Sequence, residues 1–228
     1  MSDQPTVLLT GASAGIGLAA LQVLVKQAFV VGVSRTPPPL SHPNARWVQG
    51  DLRSPEEVVA NIQAWLEDAR RPLDGLIHCA VSYGADGRHG FLQTRDGEWD
   101  EVMAVNVRSP FVLTLRLLPV LLRRPRAFIV SLTSDTATRP APQRIAYGCS
   151  KAACHSLFSG LAEELADSAV SVIQMMPRRQ VITRGIRGRR PPDFQFEGYD
   201  RPQIFDEPFT TILASRGAGM NGQCLIVG

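Results

Sequence analysis

The chain of 228 residues predicts an α/β fold, a doubly wound parallel β-sheet flanked by helices on both faces. Three observations carry this expectation. Short runs that are apolar throughout alternate with longer segments of helical spacing, the pattern of strands covered on both faces and joined by right-handed crossovers. The first run passes through a glycine-rich turn straight into a helical segment. No internal repeat or linker interrupts the series, so residues 1–228 are expected to form a single domain.

The elements follow in order. VLLT at 7–10 reads as the first strand, followed by a helix over 16–27. FVVGVS at 29–34 and WVQG at 47–50 are the next two strands, and PEEVVANIQAWLEDA at 55–69 has helical spacing. GLIHCA at 75–80 is a buried strand, residues 98–124 read as one long helix, and AFIVSLTS at 127–134 is the next strand. Pro119 is expected to kink that helix or to lie close to its end. A helix reaching residue 167, a strand VSVIQMM at 170–176 and a last strand CLIVG at 224–228 complete the series. Residues 178–203, rich in Arg and Pro, predict an irregular insertion.

Composition narrows the class. Hydrophobic residues at 44% and charged residues at 20% are the proportions of an ordinary globular domain and exclude a disordered or fibrous chain. A net charge of +3, with no face that interleaves basic and aromatic residues, argues against nucleic acid as a partner. FVLTLRLLPVLL at 111–122 is short and carries Arg116, which argues against a membrane. The first residues, MSDQPTVLL, lack the basic and apolar regions of a secretion signal, so a cytoplasmic location is expected. Cys79, Cys149, Cys154 and Cys224 show no C-x-x-C spacing and read as reduced, buried thiols, with no disulfide and no metal site.

LLTGASAGIG at 8–17 places Gly11, Gly15 and Gly17 between the first strand and the first helix. Glycines there permit a tight turn and a close backbone approach, and the helix N-terminus offers free N–H groups to a diphosphate. On this strand-to-helix junction the pattern predicts a dinucleotide. The next strand ends in Ser34 and Arg35, where an NAD enzyme places an acid for the ribose hydroxyls. A guanidinium suits the extra phosphate that an acid would repel, so NADP(H) is favoured over NAD(H).

Tyr147 and Lys151 stand four residues apart in a helical segment and share a face. At about 5 Å and an effective dielectric near 20, the lysine charge favours tyrosinate by roughly 3 kcal/mol, or about two pKa units. Tyr147 is then a candidate acid toward a carbonyl or base toward an alcohol. Ser134 ends a strand on the ligand side of the sheet, where it either bonds the reacting oxygen or merely starts a turn. Asn106 is polar within an apolar helical stretch and needs partners if buried.

The order and spacing of these signals resemble the short-chain dehydrogenase/reductase family. The resemblance rests on TGASAGIG, the pair Asp51-Leu52, Asn106, Ser134 thirteen residues before Tyr147, and YGCSK at 147–151, and it spans nearly the whole chain. It implies a Rossmann-type fold and a hydride transfer between NADP(H) and a carbonyl or alcohol. In that family pattern Tyr147 exchanges the proton, Ser134 holds the substrate oxygen, Lys151 binds the nicotinamide ribose, and Asn106 supports a water linked to Lys151. Gly11, Ser13, Ile16, Arg35, Asp51 and Leu52 would contact the cofactor, with Gly15, Gly17, Ser34, Ala80 and Thr183 around them. The family also implies a homodimer or homotetramer, built on the long helix and the helix bearing Tyr147.

Two departures are visible. HCAV at 78–81 stands where the family has Asn-Asn-Ala-Gly, so Val81 replaces a flexible glycine and bracing amides are lost. His78 reads as a packed strand-end histidine rather than an added acid. In PRRQVIT at 177–183, Thr183 arrives six residues after Pro177 instead of five, leaving Val181 and Thr183 as weaker candidates. In the basic loop beyond, in the family's substrate-lid region, Arg178, Arg179, Arg184, Arg187, Arg189 and Arg190 either attract an anionic or carrier-bound substrate or a partner protein, or are simply solvated. The function expected is that of an NADPH-dependent ketoreductase. The alternative is a non-catalytic NADP(H)-binding sensor or scaffold, suggested by the two departures.

Overall fold

The computed structural model describes residues 4–84 and 88–228, so the first three residues of the MSDQPTVLL segment read above lie outside it. Its elements are β1 (Thr6–Thr10), α1 (Gly15–Leu24), β2 (Phe29–Ser34), β3 (Ala45–Gln49), α2 (Pro55–Asp68), β4 (Gly75–His78), α3 (Asp96–Met103) and α4 (Ser109–Leu121). They continue with β5 (Ala127–Leu132), α5 (Ile145–Glu164), β6 (Val170–Pro177), α6 (Arg184–Arg187), α7 (Asp206–Ser215) and β7 (Cys224–Val227). The strands form one sheet in the order β3-β2-β1-β4-β5-β6-β7, and every neighbouring pair is parallel.

Strand periodicity divides the core. Successive side chains of β1 point to opposite faces, so Leu8 packs with Ile62 of α2, Leu113 and Leu117 of α4 and Phe158 of α5. Val7 and Leu9 pack on the other side with Leu21 and Leu24 of α1 and Phe209 and Ile212 of α7. Each such side chain contributes about 1.5–3 kcal/mol by leaving water. Because β1 and β5 are covered on both faces they are apolar almost throughout, whereas β3, at an edge, is half exposed. Strand order reverses between β1 and β4, and ligands in such sheets bind beyond the strand ends at that point.

Several elements differ from expectation. The helix expected over 98–124 is α3 and α4 joined by a π-helical turn, Ala104–Arg108, and Pro119 sits two residues from the end of α4. The combined run Asp96–Leu121 is 26 residues long, and its length and apolar composition are enough to cross a membrane, so shortness does not argue against a span. Its Val112, Leu113, Leu117 and Leu121 lie instead in the core. β5 stops at Leu132, two residues early, because the Ser134 hydroxyl accepts from Thr136 N and starts a short turn. The 178–203 segment is not irregular throughout: it contains α6, a parallel bridge between Val181 and Asp200, and a cluster of Phe194, Phe196 and Tyr199 packed edge to face. Helix α7 was not anticipated. It opens with Asp206 and Glu207 and ends at the left-handed Arg216. Of the four cysteines expected to be buried, Cys154 is; Cys149 is exposed on α5, and Cys79 and Cys224 are half-buried.

Candidate functional site

The glycine turn is shaped by backbone contact. Gly11 has φ +75°, and a Cβ placed on it would lie 2.8 Å from the Ala80 backbone. A Cβ on Gly17 would meet the Gly11 carbonyl oxygen, so Gly17 permits the turn without facing a ligand. The Ala14 side chain makes no cap hydrogen bond at the start of α1, which leaves the first N–H groups of the helix open to an anion. The turn opens on a cleft of about 480 Å³ lined by Gly11, Ser13, Gly15, Ile16, Ser34, Arg35, Asp51, Leu52 and Ala80. A dinucleotide fits this cradle: close backbone, open amides and an exposed guanidinium stand together.

At the far end of that cleft, the Ser34 hydroxyl donates to Thr36 O at 2.7 Å and accepts from Trp47 Nε1 at 3.2 Å, so it is already engaged. Arg35 is exposed and makes no ion pair among the described residues. Asp51 is taken up by Arg53, whose Nε lies 3.0 and 3.1 Å from its two oxygens, and this guanidinium holds the carboxyl below its usual range. Arg53, which sequence reasoning passed over, adds a second cation beside Arg35.

The loop after β4 is fastened by Asn106. Its Oδ1 accepts from Ser82 N at 2.7 Å, and its Nδ2 donates to Ser82 O at 2.8 Å and to Ser150 Oγ at 2.9 Å. Asn106 therefore ties the HCAV loop to α5, held in position by the π-helical turn, and its side chain does not line the cleft with the other three candidates. His78 Nε2 pairs with Thr114 Oγ1 at 3.0 Å, and burial pushes its pKa down to about 3, so it is neutral and structural. Burial also pushes the Cys79 thiol up, leaving it protonated.

Ser134, Tyr147 and Lys151 come together in a second cleft of about 430 Å³. The two clefts share Ile16, Cys79, Val81, Tyr83, Thr183 and Arg189, so one runs into the other. Thr183 caps α6 by accepting from Ile186 N at 3.2 Å, and its Cγ2 would lie 3.1 Å from a Cβ on Gly15. The late arrival of this threonine therefore leaves it against the glycine turn.

Tyr147 departs from the sequence expectation in one respect. Lys151 Nζ donates to Leu132 O at 2.7 Å and lies 5.9 Å from the Tyr147 ring centroid. The phenol pKa is raised rather than lowered, because burial outweighs the hydrogen-bonding influence of Ser134 and Tyr83 and the charge of Arg144. A pairwise charge argument omitted desolvation, which dominates for a group only 7% exposed. Tyr83 was also missed: its ring stacks on Tyr147 with centroids 4.7 Å apart, and the Arg189 guanidinium lies 4.1 Å from the Tyr83 centroid.

Comparison with known proteins agrees with this geometry. The family model for short chain dehydrogenases matches residues 5–183, and the chain belongs to that family. Short chain dehydrogenase adrF of Penicillium roqueforti is 31% identical over 152 residues, covering 64% of this chain and 57% of that protein. Short-chain dehydrogenase/reductase olcF of Penicillium canescens is 30% identical over 171 residues, covering 73% of this chain and 63% of that protein. The chain thus spans less than two thirds of the length of these relatives. A solved short chain dehydrogenase structure from Pseudomonas syringae superposes with a TM-score of 0.84 at 30% identity, covering 97% of this chain and 94% of that one. The chain accordingly has the Rossmann-type sheet of that family, whose members bind nicotinamide cofactors.

Proposed function

We propose that the protein is an NADP(H)-dependent ketoreductase that interconverts a small carbonyl compound and its alcohol. The observation that carries this is the meeting of Ser134, Tyr147 and Lys151 in a cleft continuous with the glycine-turn cleft. Gly11, Ser13, Gly15, Ile16, Leu52 and Ala80 would hold the dinucleotide, and Arg35 with Arg53 would favour the phosphate of NADP(H). The nicotinamide, when bound, supplies or takes the hydride.

The chain's own residues manage the proton and the substrate oxygen. Tyr147 Oη gives its proton to the oxygen as a carbonyl is reduced, or takes it as an alcohol is oxidised. A phenol raised by burial is a fully protonated acid at neutral pH, which suits the reductive direction. Ser134, in the turn after β5, would swing its hydroxyl from Asp135 to the same oxygen, and Lys151, fixed to Leu132 O, would keep two donors for the ribose. Family members act on small molecules and form oligomers. The exposed apolar residues Phe111, Leu115 and Leu122 on and just after α4 support a homodimer or homotetramer, and a cytoplasmic location remains part of the same reading.

The test is spectrophotometric. NADPH is expected to be consumed with a member of a carbonyl panel, faster than NADH, and Tyr147→Phe is expected to cut the rate about 10²–10⁴-fold while dinucleotide binding survives. No consumption with any carbonyl, and no effect of Tyr147→Phe, would reject catalysis. The HCAV loop and the shifted Thr183 favour the second reading, a dinucleotide-binding sensor. Tight NADPH binding by calorimetry without turnover would select it.

A further inference from the structure

The second cleft carries an unbalanced charge. Arg88, Arg144, Arg178, Arg179, Arg189 and Arg190 line it, and Asp135 is its one acidic lining residue among those described. Elsewhere arginines meet carboxylates: Arg53 with Asp51, Arg108 with Glu56, Arg124 and Arg216 with Asp74. None of the six cleft arginines has an ion pair among the described residues. The Asp135 carboxylate accepts from Ser134 Oγ and Thr136 N instead.

Arg88, Arg178 and Arg179 are exposed, whereas Arg144, Arg189 and Arg190 are half-buried. Arg189 is held over Tyr83 at 4.1 Å, and Arg190 lies 4.9 Å from the Phe194 ring centroid and donates to Tyr199 Oη at 3.0 Å. Phe194, Phe196 and Tyr199 brace one another, so the lid presents its arginines from an ordered aromatic cluster. Arg190 Nε is buried with no hydrogen-bond partner among the described residues. Arg144 enters from another element, one turn before Tyr147 at the start of α5. Mutual repulsion is visible: burial and the charges of Arg144 and Arg190 lower both Arg88 and Arg189. Placing like charges together in a partly dry cleft is unfavourable, and an anion among them reverses the sign of that cost.

We propose that the carbonyl substrate is an oxo acid, whose carboxylate is received by Arg144, Arg189 and Arg190 while its carbonyl lies at Tyr147 and Ser134. This rests on the ketoreductase reading of the cleft. The volume of about 430 Å³ suits a small molecule. Arg144 and Tyr147 line the same cleft, and the Arg144 charge acts on the Tyr147 phenol. Guanidinium forks match a carboxylate in two parallel hydrogen bonds.

Calorimetric titration with glutarate, a carboxylate that cannot be reduced, and with its uncharged diamide tests the site apart from turnover. Glutarate is expected to bind at least tenfold more tightly than the diamide, and Arg144→Gln and Arg190→Gln are each expected to abolish that preference. Arg126→Gln, outside the cleft, keeps it, and melting curves confirm that each variant is folded. A lysine at position 144 or 190 restores part of the binding should a glutamine variant fail to fold. Equal affinity for glutarate and diamide, no glutarate binding, or tighter binding of inorganic phosphate overturns the proposal. In a parallel assay, kcat/KM is expected to be at least tenfold higher for an oxo acid than for its methyl ester. Glutarate binding without turnover of any carbonyl removes the ketoreductase reading and supports the carboxylate site. Turnover of neutral carbonyls without glutarate binding overturns the carboxylate site alone.

Discussion

Tyr83 stacks on Tyr147, with ring centroids 4.7 Å apart and planes inclined by 22°. Its hydroxyl is one of the groups that pull the Tyr147 pKa down against burial. Removing that hydroxyl in Tyr83→Phe leaves the stack and is expected to move the Tyr147 titration to higher pH. Ultraviolet difference absorbance of tyrosinate and the pH profile of kcat/KM both report it. An unmoved profile would show that Tyr83 contributes packing only.

Arg35 is placed to select the cofactor. Arg35→Glu replaces a donor with a repelling charge, and losing a charged hydrogen bond costs about 1.5–3 kcal/mol. NADPH binding is expected to weaken by roughly 10–150-fold relative to NADH at low salt, where screening is least. Titration of both dinucleotides against the variant checks the ratio, and an unchanged ratio would remove Arg35 from the phosphate site.

His78 makes stability fall on acidification. Its folded pKa is about 3 and its unfolded value near 6.5, so at neutral pH both states are uncharged and the histidine contributes nothing. As pH falls through about 6.5 the unfolded chain binds a proton that the folded chain refuses. The loss reaches about 2 kcal/mol by pH 5 from this one group. Denaturant melts at pH 7 and pH 5 are expected to show it, and His78→Gln is expected to flatten the difference while keeping a partner for Thr114.

Asp74 anchors the opposite end of the sheet. Only 1% exposed, it accepts from Thr6 N at 2.8 Å, Arg124 Nε at 2.9 Å and Arg216 at 2.6 Å. Asp74→Ala leaves a buried strand amide and two partly buried guanidiniums without their partner. The expected cost is about 3–5 kcal/mol in chemical denaturation, with cofactor affinity unchanged in the fraction that remains folded.

Strand positions were legible because buried parallel strands are apolar at every residue, as in VLLT and FVVGVS, and the glycine turn was legible because Gly11 answers a backbone constraint. Tyr147, Lys151 and Ser134 could be paired through helix spacing and strand ends. The convergence of Tyr83, Arg144, Arg189 and Arg190 was not legible, since three segments distant in sequence meet only through the sheet order. The π-helical turn that holds Asn106 lies inside an uninterrupted helical pattern that gives no sign of an extra residue. The direction of the Tyr147 shift depends on burial, which spacing does not report. Helix α7 did carry a signal, with acids in its first turn and a glycine soon after its end, beside a loop that drew attention away.

Thr183 begins the short helix that leads to Arg189 and Arg190, and its methyl group nearly touches the place where a side chain on Gly15 would stand. Engineers who wish to retune the guanidinium pocket thus have a remote handle. An alanine at position 15 would lean on Thr183 and strain the glycine turn, whose φ there is +57°, so the dinucleotide cradle and the guanidinium pocket would shift together.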